Sequence, residues 1–366
     1  MYSTVMARTF HGKQVFKGRG ATSNLAGRFE ETAVEKVDDG WYEDEPPTHL
    51  EETVSPDSAR TVITTNDSPD VGFDLSINPY RGCSHACPYC FARPSHSYLG
   101  LSPGLDFETK LFYKADAARL LEAELSKPRY VCKPIALGIN TDGYQPLEKR
   151  LGVTRSILEV LVRYRHPVTI VTKSALVLRD IALLADLAKD ELISVALSVT
   201  SLSDDLKRVL EPRTASPAAR LRVIRELAAA GIPVGVMVAP VIPAITDHEM
   251  EAILQAAHAA GASFAGYTML RLPHEVKILF RDWLSAHYPD RAKHVMSLIN
   301  QASGGKDYDS RFGIRMRGTG PYAELLQKRF EIASRKLGFC GSEERQDLNT
   351  QAFRPPSSSP QLSLGL

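Results

Sequence analysis

Short apolar runs recur through the middle of the chain, at 73–77 (FDLSI), 135–139 (IALGI), 168–172 (VTIVT), 193–199 (ISVALSV), 234–238 (VGVMV) and 264–270 (FAGYTML). Most are continuous in apolar character rather than alternating, the pattern of parallel strands covered on both faces. Residues 115–126, 154–164 and 176–188 lie between them and carry apolar side chains at helical spacing. Two further helices are marked by their termini. Ser216 and Pro217 offer an N-cap and a first-turn proline for 217–230, which Gly231 ends. Thr246 and Glu249 form a capping-box pattern for 247–260, stopped by Gly261. Strands alternating with helices predict right-handed parallel βαβ units and so an α/β fold. A doubly wound sheet and a partial barrel both accommodate this order. On either, ligands bind at the C-terminal ends of the strands.

The pattern changes on both sides of this core. Residues 1–70 show weak periodicity, interrupted by Pro46-Pro47, and predict an N-terminal arm with little regular structure. Its first part holds Arg8, Lys13, Lys17, Arg19 and Arg28 and no acid, whereas residues 30–57 hold eleven acids against Lys36 alone. The arm reads either as a basic contact for nucleic acid or as an extension whose halves neutralise each other. After the core (71–275), an extension (276–340) predicts helices at 275–286, 290–302 and 321–336. Within it, Arg311 to Arg317 alternates basic with apolar residues and predicts an edge strand with a cationic face, either solvated or touching phosphates. The remaining 341–366 is polar and Pro/Ser-rich and predicts a disordered tail.

Composition narrows the function classes. The chain has 366 residues, 43% of them hydrophobic, with 44 basic against 43 acidic side chains. A net charge of +1 gives no global attraction to nucleic acid or membrane. No apolar run approaches the roughly 20 residues of a membrane span, and the N-terminus lacks a signal-peptide core, so a cytoplasmic protein is expected. Five cysteines, an odd number, do not form a disulfide framework and fit a reducing compartment.

Three of those cysteines stand together in NPYRGCSHACPYCFARPSHSYLG, residues 78–100, directly after the first predicted strand. Cys83, Cys87 and Cys90 form a C-x3-C-x2-C run. A tetrahedral zinc site would need a fourth ligand, for which His85 and His96 are the local candidates. A cubane iron–sulfur cluster held by three thiolates would instead keep one iron open. Polar groups lie at other strand ends. They include Thr141 and Asp142 after strand 2, Lys173 after strand 3, and Ser198 and Thr200 at the end of strand 4. Arg213 can take a carboxylate through its fork, and Ala239 with Pro240 offers a small apolar patch for a base.

The cysteine run resembles the signature of the radical S-adenosylmethionine (radical SAM) superfamily, with Tyr89 and Phe91 as the aromatics beside the third cysteine. Within it, residues 60–275 are most similar to the spore photoproduct lyase-like, or DNA repair photolyase-like, group. The likeness rests on SINPYRGCSHACPYCFAR, the TD-x-YQP loop, TKS, EPR and APVIP. The resemblance implies a partial (β/α)6 barrel, a 4Fe-4S cluster on Cys83, Cys87 and Cys90, and SAM on the open iron. It implies Phe91 beside the adenine, and Thr141, Lys173 and Ser198 as SAM contacts. It also implies an electron donor such as flavodoxin or ferredoxin, and a nucleic-acid base or nucleotide as substrate. One departure stands out. The hydrogen-donating cysteine that spore photoproduct lyases carry near the end of strand 2 is missing, and Cys132 precedes that strand.

Other readings stay open beside this one. A zinc-stabilised nucleic-acid-binding module would use the arm and Arg311–Arg317 for phosphate contacts, and a cluster without SAM would be an electron carrier. His85 and His96 read as proton shuttles or as hydrogen-bonded loop groups, and Asp142 as a substrate contact or a turn cap. Tyr89 and Tyr144 read as radical relays or packing, Lys173 as a SAM contact or a salt-bridged lysine. Cys132 and Cys340 read as ordinary buried thiols.

Overall fold

The computed structural model describes residues 13–29, 50–339 and 347–355. Its strands are β1 (Thr53–Pro56), β2 (Ile63–Thr65), β3 (Leu75–Ile77), β4 (Tyr80–Arg81), β5 (Lys110–Tyr113), β6 (Ile135–Leu137), β7 (Val168–Thr172), β8 (Ile193–Ser198), β9 (Val234–Val241) and β10 (Phe264–Met269). The main sheet runs β10-β9-β8-β7-β6-β3-β2. Its six predicted strands are all mutually parallel, and β2 adds an antiparallel edge. The sheet is open, since β10 and β2 occupy its two ends. This is the expected partial barrel rather than a closed one. A small second sheet, β1-β5-β4, flanks the cysteine loop.

Alternation along the parallel strands separates two environments. Val195, Leu197, Val234, Val236 and Val238 share one core with Leu161, Leu184, Leu187, Val223, Leu227, Ile253 and Leu254 of the helices. Burial of such side chains, about 1.5–3 kcal/mol each, drives the helices onto that face. The intervening positions Ser194, Ala196, Ser198, Gly235 and Gly266 are small, and register aligns Ala196 with Gly235 and Ser198 with Met237. The inner face therefore keeps room near the strand ends. Deeper in, Phe264 fills it: a Cβ on Gly235 would lie 2.2 Å from that ring.

The predicted helices appear as Ala117–Leu125, Val153–Arg163, Ile181–Ala188, Pro217–Ala229, Met250–Ala259, Val276–His287, Ala292–Ala302 and Gly320–Leu337. Ser216 caps the fourth of these, accepting from Ala219 N at 3.2 Å. The capping box expected at Thr246 does not form. Thr246 Oγ1 instead accepts from Ile242 N, and the Glu249 carboxylate reaches Ser201 Oγ at 2.7 Å and Leu202 N at 2.6 Å. The helix accordingly starts later, behind a 3-10 turn at Asp247–Glu249.

Three further expectations change. Arg311–Arg317 is a set of turns rather than an edge strand, with Arg315 N bonded to Arg311 O and Gly318 N to Ile314 O. Asp70 holds it there, accepting from Gly313 N at 2.6 Å and pairing with Arg315. The arm contributes two strands, β1 and β2, because β5 and β3 offer open edges to pair with. In the tail, Asn349–Arg354 is ordered against the barrel. Arg354 N bonds to Tyr164 O, and the Phe353 ring lies 5.4 Å from both Tyr130 and His166. Arg8, most of the acidic run and Cys340 lie outside the described residues. Among those described, no helix is long and apolar enough to cross a membrane.

Candidate active site

The cysteine loop leaves β4 and lies across the C-terminal ends of the parallel strands. Gly82 starts it at φ +76°, where a Cβ would meet Phe107 O and Leu111 at 2.9 Å, so only glycine fits. Cys83 N bonds to Phe107 O, and the turns Ala86 N to Cys83 O and Cys90 N to Cys87 O fold the segment back on itself. Cys83 and Cys87 are buried, Cys90 partly so. Burial pushes all three thiols above their ordinary pKa. The three are close enough for Cys83 to feel both other thiolates, and Lys173 pulls Cys87 and Cys90 down.

Two buried side chains clamp this loop. Gln145 accepts from Ser84 N at 2.9 Å and donates to Gly82 O at 3.2 Å, tying the loop to the turn after β6. Arg93, fully buried, donates to Cys87 O (2.9 Å), Pro103 O (3.0 Å) and Gly104 O (2.8 Å) and pairs with Glu108. Glu108 in turn accepts from Gly20 N at 3.1 Å and Ala21 N at 2.8 Å, so the N-terminal arm is fastened to the same cation. The fit is tight, since a Cβ on Gly20 would stand 1.9 Å from Ala86 O. On the other side the loop joins a core with Leu206, Ile242, Val276 and Trp283, which brings the helix Val276–His287 beneath it.

The strand ends form a second cluster. Lys173 Nζ reaches Ser198 Oγ at 2.5 Å, Ala239 O at 3.1 Å and Glu211 at 3.5 Å. Ser198 donates to Ala239 O at 2.9 Å, and Thr200 Oγ1 lies 2.9 Å from the same oxygen. Glu211 is the hub, paired with buried Arg220 and accepting from Tyr89 and Thr200. Burial would raise its pKa, but Arg220, then Lys173 and those hydrogen bonds, hold it far below the carboxylate range. Asp142 accepts from Thr172 Oγ1 (2.7 Å), Lys173 N (2.8 Å) and Tyr144 N (2.9 Å), and lies 3.4 Å from His85 Nδ1. It thus caps its turn and also ties β6 to β7. Burial lowers the His85 pKa, and Asp142 partly offsets this.

Of the residues expected around SAM, Lys173, Ser198 and Ala239 meet in one hydrogen-bonded knot. Thr141 is buried beside them, donating to Tyr80 O at 2.8 Å. Phe91 faces outward with the Arg271 guanidinium 4.7 Å from its ring centre. Arg213 sits apart from the knot, its side chain paired with Glu52 of the arm. Tyr89 donates to Glu211, Tyr144 is buried, and Cys132, expected to be buried, is only partly so and precedes β6 at the opposite end of the strands. Sequence reasoning did not single out Gln145, Arg93, Glu108, Glu211 or Arg220 as site residues. Gln145 and Glu211 belong to quoted segments, YQP and EPR, but nothing in one sequence separates a buried arginine such as Arg220 from a solvated one.

Among the described residues no group of three or more histidine, cysteine or carboxylate side chains is arranged to hold a metal ion. His96 is bonded to Lys110 O at 2.9 Å and packs edge-on against Phe107. Thiolates of a cluster bind separate irons and need not converge on one point, as ligands of a single ion must.

A family model described as the radical SAM superfamily matches residues 77–257. An uncharacterized protein of Mycobacterium tuberculosis H37Rv is 40% identical over 231 residues, 63% of this chain and 68% of that one. One from Acidianus two-tailed virus is 30% identical over 214 residues, 57% and 68% of the two chains. Spore photoproduct lyase complexed with dinucleoside spore photoproduct superposes with a TM-score of 0.56 at 17% identity, covering 78% of each chain. At that identity the likeness is one of fold.

Proposed function

Because the chain belongs to the radical SAM superfamily of enzymes, we propose that Cys83, Cys87 and Cys90 hold a 4Fe-4S cluster at the mouth of the partial barrel, with SAM on the iron that no cysteine ligates. The observation that supports this reading is that the three thiols share one loop, close enough to influence one another, and that this loop follows a strand of the sheet whose other strand ends carry the Lys173–Ser198–Ala239 knot. Reductive cleavage of SAM at such a cluster supplies a 5′-deoxyadenosyl radical that abstracts hydrogen from the substrate.

The chain's own residues bind, orient and exclude water. The buried thiols are neutral on their own, so metal binding displaces their protons and supplies the positive charge that burial denies the thiolates. Lys173 presents an ammonium to the SAM carboxylate, which exchanges with one of its present acceptors, while Glu211 keeps that ammonium aimed. Gln145 and Arg93 hold the loop backbone so that the sulfurs are pre-positioned. Ala239 offers the adenine a small apolar contact beside the knot, whereas Phe91 is turned outward under Arg271. Radical SAM enzymes require a reductant, and a flavodoxin or ferredoxin would fill that role. The fold shared with spore photoproduct lyase supports nucleotide-bearing substrates as the first class to screen. β6 ends in Leu137 without a following cysteine, so the hydrogen relay of that lyase is not part of this proposal.

The test is anaerobic reconstitution followed by iron analysis, electron paramagnetic resonance with and without SAM, and assay of SAM cleavage. About four irons per chain and a SAM-dependent change in the signal are expected. Full cleavage activity in Cys87→Ala would refute the mechanism.

A further inference from the structure

Arg271 lies just beyond the C-terminal end of β10, on the rim from which the cysteine loop is seen across the mouth. Its guanidinium stacks 4.7 Å from the centre of the Phe91 ring, and Phe91 directly follows Cys90. Phe91 is one of few large apolar side chains left open, 37% exposed. Arg271 makes no ion pair with any described residue, and its buried Nε has no hydrogen-bond partner there. The neighbouring acids are committed elsewhere. Asp70, which feels the charge of Arg271, is held by Gly313 N and Arg315. Glu275, four residues on, faces Arg28 at 2.9 Å as an ion pair, although neither of its buried oxygens accepts a hydrogen bond from a described residue.

Among the described residues, the stacked guanidinium beside this open ring is therefore left without an ion-pair partner at the entrance. Planar, weakly hydrated and fixed by its ring, it is pre-organised for the two oxygens of an oxyanion. In the proposed function, the cofactor's carboxylate takes Lys173 instead. We propose that Arg271, supported on Phe91, is the contact for a phosphate or carboxylate of the substrate, and that it orients that substrate over the cluster loop. This rests on the radical SAM reading for what happens next, but the anion contact itself does not depend on the chemistry.

The experiment is protection of Arg271 from phenylglyoxal in the reconstituted protein, read by peptide mass spectrometry. The competitors are SAM, inorganic phosphate, acetate, thymidine and thymidine 5′-monophosphate. Phosphate and the monophosphate should each slow modification of Arg271 at least fivefold, with SAM and thymidine without effect. Protection by acetate but not phosphate would support the contact and identify its anion as a carboxylate. Protection by SAM alone would overturn the proposal and give Arg271 to the cofactor. So would a failure of every anion to protect, or an arginine that reacts only after denaturation. SAM cleavage measured on the same samples reports separately on the cluster, so loss of cleavage with intact anion protection would count against the radical reading alone.

Discussion

Arg93→Met tests how the cysteine loop is held. Methionine keeps most of the aliphatic volume but removes the donors to Cys87 O, Pro103 O and Gly104 O and leaves Glu108 buried without its cation. Removing one member of a buried ion pair costs about 3–5 kcal/mol. Gly20 N and Ala21 N still solvate Glu108, which argues for about 3 kcal/mol, the lower end. Burial already raises the Glu108 pKa above 4.5, and Arg93 is the main influence lowering it, so the variant carries it higher still. The folded variant then holds a proton that the unfolded chain has lost. Its stability should fall as pH rises from about 4.5 to the raised value, and be flat above. Arg93→Met/Glu108→Gln removes the stranded charge and should recover at least half of the loss. The assay is the denaturation midpoint of the four members of the cycle, with iron incorporation as the functional readout. A single variant within about 1 kcal/mol of the parent, or losses that merely add in the double variant, would refute the clamp.

Lys173→Met removes a charged donor worth roughly 1.5–3 kcal/mol, so the SAM dissociation constant should rise at least about tenfold in equilibrium binding. An unchanged constant would separate Lys173 from the cofactor. Gly20→Val forces a side chain into Ala86 O, so the arm should lift and trypsin cleavage at Lys17 and Arg19 should accelerate. His166 is held neutral, its Nδ1 donating to Pro167 O at 2.9 Å and its Nε2 accepting from Tyr130 at 2.7 Å. Burial lowers its pKa from 6.5 to about 4. The unfolded chain takes up that proton first, so stability is complete above pH 6.5 and falls toward pH 4, by about 3 kcal/mol in acid titration of the unfolding midpoint. His166→Phe should flatten that limb; an unchanged slope would place the acid sensitivity elsewhere.

By itself the chain specified its architecture and its family. Six continuous apolar runs became six parallel strands, because an outer layer of valine, leucine and isoleucine buries the same way whatever lies at the centre. The C-x3-C-x2-C run declared its thiols through local spacing. Lys173, Ser198 and Ala239 could be singled out because each lies at or near the C-terminal end of a strand, and the fold brings them into one hydrogen-bonded knot. What depended on the tertiary structure is everything carried by contacts distant in sequence. Arg93 meets the arm through Glu108, Gln145 grips Ser84, and Glu211 gathers Arg220, Lys173 and Tyr89. Arg213 could be read as a carboxylate ligand until Glu52 was found beside it. The basic stretch at Arg311 became turns because Asp70, some 240 residues earlier in the chain, accepts its backbone and its guanidinium. Hydrophobic periodicity is written residue by residue, so one sequence suffices to read it. The pairing of buried charges depends on which segments the fold makes neighbours, and only the folded chain decides that.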